Sequence, residues 1–206
     1  MLIKNLQLGQ MEANCYIVTD DKSMQCAVID PGDESNTVLD YVEDNKLAVK
    51  YILLTHGHFD HTMAAETVSQ ETGAPIYICA KDIADRNGGD DLFTFDAPEG
   101  TLTFKDGDVL RVGDLEFEIM ETPGHSKGSV TIKCGRCLFT GDTLFRGGAG
   151  RVDFPGGDMM ELMQSLKKLG NMEGDYEVYP GHMDATRLDI ERKENPFMQC
   201  AMGVSD

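Results

Sequence analysis

Residues 55 to 61, Thr55-His56-Gly57-His58-Phe59-Asp60-His61, bring three imidazoles and a carboxylate into one short run. Nitrogen and oxygen donors at that density are the ligand set of a borderline transition metal such as zinc. A single histidine is more often an ordinary core or surface residue than a ligand. The chain has 5 histidines in 206 residues, so three of them sharing one window with an aspartate by chance has a probability on the order of 10⁻⁴. The other two stand in similar settings. His125 lies in Thr122-Pro123-Gly124-His125-Ser126 and His182 in Tyr179-Pro180-Gly181-His182, each after an apolar or aromatic β-like stretch. Every histidine thus falls where a strand gives way to a loop.

The run before the cluster, Tyr51-Ile52-Leu53-Leu54, is apolar and β-rich, and reads as a buried strand. A chain leaving that strand can aim His56 and His58 one way by alternation, while the next turn carries Asp60 and His61 toward a second centre. The spacing therefore predicts two metals. Strands are predicted over 2–8, 15–20 and 24–30, antiparallel, with Asp20-Asp21-Lys22-Ser23 as a turn, then a helix through Val38, Leu39 and Val42 to about Asn45. The strand 49–54 delivers the histidines. A helix over 62–72, ended by Gly73, leads to a strand at 75–79, which makes the first half a β-meander followed by βαβα. Residues 80–100, broken by Asn87-Gly88-Gly89-Asp90-Asp91, read as a mobile loop beside the site.

Strands resume at 101–104, 108–112 and 115–121 as a second antiparallel sheet. Cys134-Gly135-Arg136-Cys137 has C-x-x-C spacing without a matching second pair, and reads as a two-residue hairpin turn with its cysteines facing each other. Leu138-Phe139-Thr140-Gly141-Asp142 is another buried strand closed by an acid. The glycine-rich segment 146–157 lacks the Lys-Ser/Thr of a phosphate-binding loop. Asp158 with Glu161 forms a capping-box pattern ahead of a helix that turns Met159, Leu162, Met163, Leu166 and Leu169 inward. A strand at 176–179 carries His182, and a last helix starts at about Thr186.

Composition narrows the partners. With 36 acidic against 18 basic residues the formal charge is −18, a field that repels phosphate backbones and anionic membranes and argues against nucleic-acid or membrane binding. The N-terminal Leu2-Ile3-Lys4-Asn5-Leu6-Gln7-Leu8 alternates like a strand and has no signal-peptide h-region. No stretch is as long as a membrane span, and the 6 cysteines are scattered, so the expected compartment is a reducing cytoplasm.

Four segments in this order, Thr55-His56-Gly57-His58-Phe59-Asp60-His61, Pro123-Gly124-His125-Ser126-Lys127-Gly128-Ser129, Phe139-Thr140-Gly141-Asp142-Thr143-Leu144-Phe145 and Pro180-Gly181-His182, closely resemble the motifs of the metallo-β-lactamase superfamily. Their details are most similar to type II glyoxalases (hydroxyacylglutathione hydrolases). The resemblance implies an α/β fold, a four-layer αβ/βα sandwich of two mixed β-sheets, as one domain over 1–206 with metals at one edge. It places His56, His58 and His125 on one ion, Asp60, His61 and His182 on the other, and Asp142 between them. Two divalent ions are implied, zinc first, with iron or manganese fitting the same donors. The implied reaction is hydrolysis of an acyl substrate by a hydroxide bridging the two metals, which Asp60 orients. Two dications, two carboxylates and the hydroxide leave a centre near +1 that can hold an oxyanion. A thiolate leaving group, of thiol pKa ~8.5, departs without an acid, which favours a small-molecule acyl thioester over a lactam.

The chain also departs from full-length type II glyoxalases. Only Met183 to Asp206 follow His182, too few for the C-terminal helical domain that contacts glutathione. Arg151 matches a basic family position on the glutathione moiety and is the expected substrate-binding residue, while Asp153 stands where a tyrosine is usual. Competing readings share the fold: a mononuclear iron persulfide dioxygenase built on His56, His58, His125 and Asp142, or a lactonase. A flavodiiron-type module would carry Glu where this chain has His58 and a flavin domain besides, and a further reading is a fold that holds metals for stability alone.

Overall fold

The computed structural model describes residues 1–84 and 92–203. Two six-stranded sheets face each other. The first comprises β1 (Leu2–Leu8), β2 (Ala13–Asp20), β3 (Gln25–Ile29), β4 (Ala48–Leu53), β5 (Ile76–Cys79) and β6 (Leu102–Phe104), in that spatial order. β1 to β3 pair antiparallel, and β3 to β6 pair parallel. The second contains β7 (Val109–Val112), β8 (Leu115–Glu121), β9 (Val130–Cys134), β10 (Cys137–Gly141), β13 (Glu177–Pro180) and β14 (Thr186–Arg187), ordered β14-β13-β10-β9-β8-β7. Only β10 and β13 run parallel in it. A small hairpin, β11 (Leu144–Phe145) with β12 (Gly148–Ala149), stands apart from both.

Alternation along the strands builds the layers. On β2, β3 and β4 the residues Cys15, Ile17, Cys26, Val28 and Ile52, with Leu54 just past β4, face helices α1 (Ser35–Asp44) and α3 (Ala65–Thr72) through Val38, Val42, Ala65 and Val68. Their neighbours Tyr16, Val18, Ala27, Ile29 and Leu53 face the other way, onto Phe117, Ile119, Val130, Ile132 and Phe139 of the second sheet. Leu138 and Val178 on the far face of that sheet pack on Leu162, Leu166 and Leu169 of α4 (Met159–Gly170), Leu188 of α5 (Leu188–Glu194) and Met198 of α6 (Pro196–Met202). The order is helix, sheet, sheet, helix. Strands buried on both faces lose the polar alternation of a half-exposed strand, which is why β2 is buried throughout. Each fully buried Ile, Leu or Phe contributes about 1.5–3 kcal/mol.

Several sequence expectations are corrected. The strand expected at 101–104 joins the first sheet, parallel to β5, because a short strand's periodicity does not report its partner. The last helix is two helices. Pro196 lacks the N–H that would continue α5, and Asn195 caps α6 by accepting from the N–H groups of Phe197 and Met198. Met159 does not face inward: at the first position of α4 it is 48% exposed. Asp158 does cap α4 through the N–H groups of Met160 and Glu161, but its own N–H goes to the Gly124 carbonyl, so the reciprocal half of the capping box is not made. Within 80–100 a 3₁₀ turn covers Ala80–Asp82, and Phe95 bonds back to Asp82 and Ala84, so these parts are built into the fold. The Asn87-Gly88-Gly89-Asp90-Asp91 break lies outside the described residues. The Cys134 to Cys137 turn is the expected hairpin, with both cysteines buried.

Candidate metal centre

Strand ends deliver the predicted side chains to one place. β4 runs out at Leu53, and Thr55 to His58 leave it as a loop that enters a one-turn helix, α2 (Phe59–Thr62), carrying Asp60 and His61. β8 leads to the His125 loop, β10 ends beside Asp142, and β13 ends just before His182. One donor atom from each of His56, His58 and His125 lies within 4.8 Å of the others, and the same holds for Asp60, His61 and His182. Asp142 stands between the two groups. Its Oδ1 is 3.5 Å from His61 Nε2, and its Oδ2 is 3.5 Å from His125 Nε2 and 3.7 Å from His182 Nε2.

The hydrogen bonds around the rings fix which nitrogen faces inward. The Arg151 carbonyl can only accept, so His125 Nδ1, 2.8 Å away, carries the proton and leaves Nε2 for the centre, 2.8 Å from His58 Nδ1. Asp30 accepts from the Thr55 N–H at 2.7 Å and from its hydroxyl at 2.6 Å, and sits 3.2 Å from His61 Nδ1. Since the Thr55 hydroxyl donates to Asp30, its lone pair faces His56 Nδ1 at 3.0 Å. Both Nε2 atoms, of His56 and His61, therefore point at the clusters. Asp30 also lies near His56 and His61 as a third donor group. Its oxygens are already committed to Thr55 and His61, which makes it an orienting residue.

Several features fit divalent ions. His56 Nε2 and Asp142 Oδ1 are buried without a hydrogen-bond partner in the protein, an arrangement whose cost an ion would remove. A Cβ on Gly181 would stand 2.2 Å from Asp142 Oδ1 and 2.8 Å from His61 Cε1, so only glycine keeps that space open beside the carboxylate. The two clusters differ in charge. Burial, reinforced by the neighbouring rings, holds His56 well below the usual histidine range and His58 at about 4, so both are neutral imidazoles at pH 7. Burial opposes a charged His61 too, but Asp142, Asp30 and Asp60 outweigh it and raise the ring to about 9. His182 is likewise raised, against burial, by its bond to Asp60. For Asp60, burial is outweighed by the pull of His182 and His61, which brings the carboxyl to about 2. The field that favours a proton there is the field that attracts a cation.

A cavity of about 570 Å³ opens over both clusters. Arg151 lines it, as predicted for a substrate contact, but its guanidinium pairs with Asp153 through bonds of 2.7 and 2.6 Å and lies 3.9 Å over the Phe154 ring.

Sequence reasoning missed the residues that hold the loops. Asn14 and Tyr16, on β2 of the first sheet, bond to the Pro180 carbonyl at 3.0 and 2.7 Å, and Asn14 also reaches the Met183 carbonyl at 2.8 Å, so the His182 loop is pinned across the sandwich. Asp82 accepts from the N–H groups of Gly57 and Gly128 and from the Ser126 hydroxyl, tying the His56 loop to the His125 loop. The signal for Asp30 was Asp30-Pro31-Gly32 at a strand end, the same placement that marked the ligands. Nothing local marks Asn14 or Asp82.

A model of the metallo-beta-lactamase superfamily matches residues 8–182. An uncharacterized protein of Aquifex aeolicus is 38% identical over 96% of this chain and 97% of its own length. The hydroxyacylglutathione hydrolase GloC of Haemophilus influenzae is 32% identical, over 96% and 98%. Among solved structures, the B3 metallo-beta-lactamase BLEG-1 superposes with a TM-score of 0.85 at 30% identity, covering 96% of this chain and 99% of that one. ETHE1 from Myxococcus xanthus gives 0.84 at 26%, over 100% and 92%, and TTHA1623 in a di-iron-bound form gives 0.80 at 34%, over 94% and 99%.

Proposed function

The chain belongs to the metallo-beta-lactamase superfamily, and on that premise we propose that it is a binuclear hydrolase of acyl thioesters, similar to type II glyoxalases. The observation that carries this reading is the pair of three-donor clusters flanking one carboxylate, Asp142. On this reading His56, His58 and His125 would hold one divalent ion, Asp60, His61 and His182 would hold the other, and Asp142 would serve between them. Zinc fits these donors, and so do iron and manganese. When bound, the pair supplies an acidified water and a polarised carbonyl. The chain's own groups do the positioning. Asp60 accepts a hydrogen bond from the attacking water and aims it, and Phe93, Phe145 and Phe154 line the cavity in which the acyl group would lie. Water oxygen adds to the acyl carbon, the C–S bond breaks, the water's two protons pass to solvent, and carboxylate and thiolate leave without needing an acid, consistent with the absence of a spare acid among the described cavity residues outside the clusters.

A second reading on the same fold is a mononuclear iron persulfide dioxygenase built on His56, His58, His125 and Asp142. It uses only one ion, which would leave Asp60, His61 and His182 without a role. Metal content of the purified protein and turnover of a thioester, lactone and glutathione-persulfide panel, with and without oxygen, separate the two. Two ions per chain and oxygen-independent thioester hydrolysis are expected. One iron per chain with oxygen consumed on the persulfide would replace that reading by the second.

Arg151 supplies a further test. If a glutathione thioester is hydrolysed, a guanidinium at the cavity mouth acts on ground and transition states alike. Arg151→Ala then raises KM for that substrate by roughly 5- to 50-fold with kcat nearly unchanged, and leaves a small uncharged thioester unaffected. An equal loss on both substrates would instead assign Arg151 to holding its loop through Asp153.

A further inference from the structure

We propose that the cavity over the two clusters selects thioesters whose acyl group is apolar, a phenylacetyl or medium-length alkyl group, over hydroxylated acyl groups such as lactoyl; this rests on the thioesterase reading above.

The walls carry the inference. Phe93 and Phe154 lie with ring centroids 4.6 Å apart and flank His58 at 5.5 and 6.1 Å, so the aromatic pair abuts the three-histidine cluster directly. Phe145 stands 6.2 Å from His182 on the other side, and Met11, Met183 and Phe197 continue the apolar rim. These last three are 57%, 59% and 40% exposed, unusual for large apolar side chains that share one cavity mouth. Among the described lining residues, every polar side chain is either a cluster member or one of two arginines, and Arg146 and Arg151 are paired with Asp184 and Asp153. Among the described residues the lining thus has no serine, threonine, asparagine, glutamine, tyrosine or lysine to meet a hydroxyl. A cavity of about 570 Å³ is of the size that encloses a small ligand.

The glycine-rich segment 146–157, which carries no nucleotide signature, acquires a role here. It pairs Gly148 and Ala149 with Phe145 and Leu144 in the β11–β12 hairpin and then makes a turn closed by the Gly157 N–H on the Phe154 carbonyl, so that Phe145 and Phe154 both line the cavity. Arg151 covers the outer face of Phe154. An acyl chain laid on this wall leaves water at about fourfold in affinity per methylene. A hydroxyl carried into it loses its water partners and finds none in the side chains of the wall.

Titration calorimetry on the metal-loaded protein with acetate, butanoate, hexanoate, phenylacetate and lactate, the acids such hydrolysis releases, tests the selection without turnover. Dissociation constants are expected to fall about fourfold per added methylene, roughly 250-fold over the four methylenes from acetate to hexanoate, with lactate no tighter than acetate. Phe93→Ala and Phe154→Ala are expected to flatten the series while metal content and acetate affinity hold, which separates loss of the wall from loss of the fold. A flat series, or lactate binding tighter than butanoate, overturns the proposal. The matching N-acetylcysteamine thioesters are run in parallel. A graded carboxylate series with no thioester hydrolysed would sink the thioesterase reading and keep the apolar site, whereas hydrolysis with a flat series would sink the selection alone.

Discussion

Asp142→Ala is expected to leave the protein with fewer than ~0.2 ions per chain after dialysis and to lower turnover by at least ~10³-fold. Its carboxylate faces both clusters, at 3.5 Å from His61 and 3.5 Å from His125. On the binuclear reading, removing it would take a ligand from each ion and also the negative charge that offsets their mutual repulsion. His182→Ala takes one ligand from one cluster, so it should deplete one ion and spare the other. Elemental analysis of the two variants beside the wild type decides the matter, with Asp142→Asn as a control that keeps volume and removes charge. Retention of two ions by Asp142→Ala would show that the carboxylate does not join the clusters. Circular dichroism guards against a trivial outcome, since Asp142 lies at a strand end and outside the three apolar clusters that hold the sheets and helices.

The candidate ligands were legible because their chemistry leaves a local mark. Imidazoles are scarce in this chain, and each follows an apolar strand, so position and residue type pointed the same way for His56, His58, His61, His125 and His182. The two sheets were legible from strand periodicity, but β6 was given to the wrong sheet because three residues carry too little pattern to name a neighbour. The split of the last helix could have been read from Asn195-Pro196. What could not be read is the support. Asn14 holds a loop 166 positions away, and Tyr16 reaches the same carbonyl across the space between the sheets. Such bonds exist only once the sheets face each other, and an asparagine inside a β-strand looks like any other polar interruption.

That support has measurable consequences at Asp82. Its carboxylate, 2% exposed, takes the Gly57 N–H at 2.9 Å, the Gly128 N–H at 2.6 Å and the Ser126 hydroxyl at 2.5 Å. Gly57 separates His56 from His58, and Ser126 follows His125, so one buried acid spaces all three imidazoles of a single cluster. The glycines are required by the same contact: a Cβ at Gly128 would lie 2.7 Å from the carboxylate, and one at Gly57 would lie 2.6 Å from the Asp82 carbonyl oxygen. Burial pushes the Asp82 carboxyl up, and the bonds from Ser126, Gly57 and Gly128 pull it back. Asp82→Ala leaves two buried N–H groups unpaired, at about 1–3 kcal/mol each, and frees both loops. The ion on His56, His58 and His125 should then bind about 10–100-fold more weakly, while the ion on Asp60, His61 and His182, whose rings are held by Asp30 and the Pro180 loop, keeps its affinity within about threefold. Asp82→Asn should fall between, because an amide can accept from one glycine but turns its own N–H groups toward the other. Chelator competition resolves the two sites, and apo-protein melting reports the cost in stability separately. Equal weakening of both ions would assign Asp82 to general stability, and an unchanged pair would remove it from the site altogether.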